Sequence, residues 1–175
     1  MKDETSAEPN LKATQSMEET RIAPLVVDTV DSLRHLIGKE IAGTTWFVIT
    51  QERIQQFAHT TDDQNWIHVD PHRARQESPY GATIAHGFLT LSLLSKFMRQ
   101  AVKIRSGVRM GINYGLNHVR FPAPVRAGNS IRARFTLLSL TGISGGFQAV
   151  FSAIVEVQDS AKPCCAAEWV VRYYV

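Results

Sequence analysis

The spacing of hydrophobic residues changes along this chain, and the changes mark out its elements. Residues 1–24 are polar and rich in Lys, Asp, Glu, Ser and Thr, a composition that predicts a disordered tail. Val30, Leu33, Leu36 and Ile37 then recur at helical spacing, which predicts a short amphipathic helix stopped at Gly38. Thr45 to Ile49 reads as a strand. Thr50 is a suitable N-cap for a helix running through about Ala58, with Ile54, Phe57 and Ala58 on one face. Asp70 to Tyr80 is charged, contains Pro and reads as a loop. From about Ile84 to Val102 nearly every residue is apolar or small, which predicts a buried central helix. After Gly107 the pattern becomes strand-like in four stretches: Gly111–Phe121, Ser130–Ser139, Gly146–Val157 and Ala166–Val175. Turn signals at 122–128, 142–145 and 159–163 separate them.

One buried helix followed by four long strands with short links predicts an α+β domain in which an antiparallel sheet surrounds the helix. A chain of 175 residues suits one such domain, here over residues 25–175. A net charge of +3 without a clustered Lys/Arg tract argues against nucleic acid and is compatible with an anionic small molecule. The two cysteines, Cys164 and Cys165, are adjacent, which excludes a four-Cys zinc site and points to a reducing, cytoplasmic setting. No stretch reaches the roughly 18 uninterrupted apolar residues of a membrane span. Met1 to Thr20 lacks the apolar core of a signal peptide.

The densest chemistry lies in Asp63-Gln64-Asn65-Trp66-Ile67-His68, followed by Ala85-His86-Gly87-Phe88. An Asp and a His five residues apart across a turn can converge on one water, with His transferring protons near neutral pH. Asn65 can orient either group. The competing interpretation is a turn held by local hydrogen bonds. Gly87 falls in the first turn of the expected central helix, where amides lack intrahelical partners. A carbonyl oxygen seated there would be polarised by the N–H and the helix dipole; close helix packing is the alternative use of that glycine. Ser95, eight residues on, is expected on roughly the same side, although a mid-helix Ser often bonds only to its own backbone.

Asp-x-Asn-x-Ile-His at 63–68, with Thr83-Ile84-Ala85-His86-Gly87-Phe88-Leu89, resembles the hydratase-2 motif of MaoC-like (R)-specific enoyl-CoA hydratases, which are hot-dog-fold enzymes. The stretches 112–117 and 119–125, and the C-terminal Ala161-Lys162-Pro163-Cys164 with Val170-Val171-Arg172-Tyr173, resemble the NodN-like subgroup. The resemblance runs over about residues 28–175. It implies a hot-dog fold, a homodimer, and reversible addition of water to a trans-2-enoyl-CoA, with CoA part of the substrate and no metal or redox cofactor. By the same resemblance Asp63 and His68 bind and activate the water, and the Gly87 N–H stabilises the enolate oxygen. Asn65 and Ser95 support the dyad and substrate, and His86 is structural. Two positions depart from the family pattern: Asp62 stands where Gly is usual, and Trp66 where many members have Pro.

Other candidates carry less. His68 and His72 have metal-pair spacing, but Pro71 breaks the helix they would share. Arg120, Arg126, Arg132 and Arg134 flank strands near the Pro-rich turn; Arg120 and Arg126 are the candidate contacts for CoA phosphates, with a solvated sheet face as the alternative. The vicinal cysteines lack a nearby base and read as inert. The alternatives to a hydratase are a hot-dog acyl-CoA thioesterase and a non-catalytic acyl-thioester-binding subunit.

Overall fold

The structure is a computed structural model that describes residues 23–175. The expected tail at 1–24 lies, through residue 22, outside the described residues. Strand periodicity is the strongest organising signal. In β6 (Ser130–Ile143) Ile131, Ala133, Phe135 and Leu137 are buried, and in β7 (Gly146–Val157) Ala149, Phe151, Ala153, Val155 and Val157 are. In β8 (Cys165–Tyr174) Cys165, Ala167, Trp169 and Val171 point the same way, joined by Val170. Alternate side chains leave a strand on one face, so these odd-numbered residues build a single apolar surface. Phe135 and Phe151 flank Trp169, with ring centroids 6.4 and 6.2 Å away.

These strands pair antiparallel in the order β2-β6-β7-β8-β5, with β3 also on β6. Here β2 is Glu40–Gly43, β3 is Phe47–Val48 and β5 is Met110–Arg120. A bulge between Leu137 and Ser139 shifts the inward register from odd to even, so that Leu140 is buried. The predicted strand at 45–49 is thus only two residues long, and β2 is an element the sequence pattern does not announce. A second, two-stranded sheet pairs β1 (Leu25–Val27) parallel to β4 (Val102–Ile104), also unforeseen. Both strands are too short to show a period.

The expected helix at Val30–Ile37 is a 3-10 turn, Asp31–Leu36, ending at Gly38, whose φ of +81° only glycine adopts readily. Helix α1, Gln51–Thr61, begins as expected: the Thr50 side chain accepts from the Arg53 N–H. The segment expected to be a loop contains α3, Pro71–Glu77, which follows α2, Trp66–Val69. Its start is signalled by Asp70, whose carboxylate accepts from the Arg73 N–H, and by Pro71 in the first turn. The charge of the segment hid that cap.

The central helix is shorter than the apolar run. It divides into α4, Gly87–Ser92, and α5, Leu94–Ala101, meeting at Leu93. Residues 83–86 are extended and wedged between neighbours. The Ile84 N–H donates to the Ile67 carbonyl at 3.0 Å, the Ala85 N–H to Val125 at 2.7 Å, and Ile84 bridges Arg126. Nor is the helix buried all round: Phe88 is 68% exposed. Its inward side, Leu89, Leu93, Leu94, Phe97, Met98 and Ala101, packs into the core formed by the sheet.

Candidate active site

Asp63 follows directly on α1. Asp62 ends that helix in the left-handed region, φ 56° and ψ 16°, and so turns the chain sharply. This is where the family pattern has Gly, and the backbone conformation supplies the reason. Asn65 then caps α2, its side-chain oxygen accepting from the Ile67 N–H at 3.3 Å. The described contacts therefore give Asn65 a local capping role. Helix α2 carries His68 toward the 83–86 segment.

The His68 ring is fixed by one bond. Nδ1 lies 2.6 Å from the Ile84 carbonyl oxygen, which can only accept, so Nδ1 carries the proton and Nε2 keeps its lone pair. Gln51, the first residue of α1, holds the same region from behind. Its Nε2 donates to the His68 carbonyl at 2.8 Å, and its Oε1 accepts from the Thr83 hydroxyl. Partial burial lowers the His68 pKa below its ordinary value. The Ile84 bond opposes this, the neighbouring His86 adds to the lowering, and Asp63 opposes it. The ring is therefore biased toward its basic, uncharged form.

Asp63 presents a carboxylate that is 56% exposed. It makes no direct hydrogen bond to His68 among the described residues. The ligand-capable atoms of Asp63, His68 and His86 nevertheless lie within 4.8 Å of one another. The two imidazoles are stacked, with centroids 3.7 Å apart and planes inclined by 27°. Within the trio, His68 Nδ1 and His86 Nε2 are each already directed at a backbone carbonyl oxygen. His72 belongs to α3, beyond the break at Asp70–Pro71, and is not part of it.

His68 and Gly87 line one cavity of about 260 Å³, together with Tyr80, Thr90, Phe121 and Cys164. The Gly87 amide opens α4 and donates to no backbone carbonyl among the described residues. Gly87 also answers a packing need: a Cβ there would lie 2.9 Å from the Phe121 ring. Cys164 and Cys165 are buried, which pushes their thiols up to about 12 and about 11 and leaves them without nucleophilic character near neutral pH.

Ser95 is not brought to this cavity. It accepts a hydrogen bond from Asn113 Nδ2 at 3.1 Å and borders a separate, mainly apolar groove with Leu91, Leu116 and Trp169. Eight residues at about 100° each leave two helix positions roughly 80° apart, and the break at Leu93 intervenes, so the expectation of a shared side was too generous. Arg120 is exposed and donates to the Val119 carbonyl, and Arg126 lines a polar cleft with Asn129 and Gln158. Neither meets a carboxylate among the described residues. Arg132 and Arg134 do: they pair with Glu156 at 2.7 and 3.2 Å, and Arg134 also pairs with Glu40. Two residues that sequence reasoning missed are Gln51 and Phe121. Neither stands out locally, because each acts on segments distant in sequence: Gln51 on His68 and Thr83, 17 and 32 residues on, and Phe121 on Gly87.

The MaoC-like domain model matches residues 32–158. The chain is 47% identical to 3-hydroxyacyl-thioester dehydratase Z of Mycobacterium tuberculosis, over 83% of this chain and 96% of that protein. It is 44% identical to nodulation protein N of Rhizobium leguminosarum, over 77% and 84% respectively. The fold is shared with an (R)-hydratase from A. caviae at a TM-score of 0.62 and 22% identity, covering 77% of this chain and 96% of that one. With an antiparallel sheet around a central helix, and a family match spanning both the Asp63–His68 segment and the His86-Gly87 turn, the chain belongs to the MaoC-like hot-dog family of hydratases and dehydratases.

Proposed function

We propose that this chain catalyses reversible hydration of a trans-2-enoyl-CoA to the (R)-3-hydroxyacyl-CoA. The observation that carries the reading is the state of His68: its Nδ1–H is tied to the Ile84 carbonyl, which leaves Nε2 available as a base in the cavity that Gly87 also lines. Asp63 and His68 hold one water between them. Its oxygen adds to the β-carbon, one of its protons passes to the dyad, and the dyad returns a proton to the α-carbon. The thioester oxygen gains charge as the enolate forms, and the Gly87 N–H stabilises it there. Acid and base roles are assigned to the pair and not divided between its members. No metal or redox cofactor enters this scheme.

Arg126 follows Val125, which lines the cavity, and its guanidinium, without a carboxylate partner among the described residues, suits a CoA phosphate; Arg120, beside Phe121, is a second candidate. Ser95 serves the substrate from the apolar groove and not the dyad directly, and Asn65 supports the dyad through its cap. The working unit in this proposal is a cytoplasmic homodimer. Met110, Ile112, Tyr114 and Leu116 are 49, 38, 56 and 41% exposed along β5, the strand at the sheet's edge, and a long apolar edge is a natural seat for a second copy.

The test is turnover of crotonyl-CoA. Loss of enoyl absorbance without thiol release supports hydration. Thiol release supports the thioesterase reading, and binding without turnover supports a non-catalytic subunit. Asp63→Asn and His68→Gln should each lower turnover by about 10²–10⁴-fold with the melting temperature retained. Near-normal rates in both would remove the dyad from the mechanism.

A further inference from the structure

His86 is more constrained than a packing residue requires. It is 4% exposed, and its ring lies face to face on His68 at 3.7 Å between centroids. Its Nε2 is 3.1 Å from the Asp63 carbonyl oxygen, which only accepts, so Nε2 carries the proton; the Asp63 carboxylate lies 3.8 Å from the same nitrogen. Phe57 from α1 packs on the ring at 5.1 Å. His68 and Asp63 are thus the two titratable groups that face it, and Phe57 is the apolar one. Nδ1 is buried with no partner among the described residues. An apolar ring would fill the same space without stranding a buried nitrogen. What an apolar ring lacks is the N–H directed at Asp63.

We propose that His86 is a positioning residue for the dyad, its ring face setting the plane of the His68 imidazole while its Nε2–H holds the backbone of Asp63. One side chain then fixes both ends of the water-binding pair. Because it opens the turn into α4, it also ties that pair to the amide of the next residue, Gly87. Small displacements of reacting groups cost large factors in rate, so the residue's contribution falls on kcat. The inference rests on the hydratase reading for its kinetic consequence but not for its structural one, since the orientation and titration of His68 are measurable without any substrate.

Two variants separate the two contacts. His86→Phe keeps a ring on His68 and loses the donor to Asp63; His86→Gln keeps an amide donor and loses the stack. Each should lower kcat for crotonyl-CoA about 10- to 100-fold with KM within about threefold. In the Gln variant, water reaches His68 and the neighbouring imidazole is gone. Its midpoint by 15N NMR should then rise toward the ordinary histidine value, carrying the acid limb of kcat/KM with it. A melting temperature that falls while kcat and the His68 midpoint stay at wild-type values would make His86 a packing residue and overturn the proposal. If the Gln variant does not fold, the Phe variant decides: wild-type kcat there, with unchanged amide shifts at Asp63 and Gln64, overturns it equally. Should the wild-type protein lack hydratase activity, the His68 titration and the Asp63 shifts still decide whether His86 positions the pair, so the two ideas fail separately.

Discussion

Asp62 shows how one backbone angle can account for a departure from a family pattern. At φ 56° it holds the left-handed conformation that glycine adopts without strain and that Asp and Asn tolerate best among the rest. Asp62→Gly should therefore raise stability by about 0.5–1 kcal/mol, measured by urea unfolding, with turnover unchanged. A loss of stability would mean that the Asp62 side chain contributes more at this turn than its backbone costs. His68 supports a prediction in pH. Burial lowers its pKa, so the base form persists below the ordinary histidine value of about 6.5, and the acid limb of kcat/KM should fall below that pH. The sign for stability follows from linkage. The unfolded chain binds a proton at this residue at higher pH than the folded one does. The contribution of His68 to stability is therefore complete above about 6.5 and declines as pH falls. An acid limb above 6.5 would contradict the environment described for this ring.

Between elements, the decisive contact is that of α4 with the loop after β5. Phe121 lies over Gly87 closely enough that an added Cβ would sit 2.9 Å from its ring, and it also meets Phe88 edge-on at 5.9 Å. Gly87→Ala should then cost about 1–3 kcal/mol through overpacking. Adding Phe121→Leu should recover much of that loss, visible as a coupling energy in a double-mutant cycle. Additive effects of the two changes would separate Gly87 from Phe121. Activity recovered along with stability would show that glycine is needed for room; activity lost despite recovered stability would favour the alignment of its amide. Helix α3 belongs to this scale too. Its cap and first-turn proline are written in the sequence at Asp70 and Pro71, but a charged surface segment shows little hydrophobic period to accompany them.

At the scale of the whole molecule, β5 is exposed along nearly its whole length. Its side chains Met110, Ile112 and Tyr114 lie along an edge strand and would bury apolar surface against a second copy, whereas the register shift after Asn113 turns Leu116 toward Trp169. Ile112→Glu should shift the protein from dimer to monomer in sedimentation velocity at micromolar concentration. An unchanged sedimentation coefficient, with wild-type already a dimer, would move the interface to another surface. No helix among the described residues is long and apolar enough to cross a membrane, in keeping with the polar residues that interrupt the central run.

The sequence alone determined what depends on local period and local caps. Of the four long strands, β6, β7 and β8 were legible because one face of each is buried, which forces alternation, and α1 was legible because Thr50 marks its start. The Asp63–His68 segment was legible because its chemistry is compressed into six residues. Tertiary structure decided everything that joins distant segments. Whether Ser95 shares a cavity with Gly87 depended on a break at Leu93 that a run of apolar residues conceals. Which His68 nitrogen is free depended on the Ile84 carbonyl, held extended by Ile67 on one side and by the bridge to Arg126 on the other. The stacking of His86 on His68 required α2 and the start of α4 to meet. Periodicity records which face of an element is covered, but the partner that covers it is chosen by packing across the whole chain.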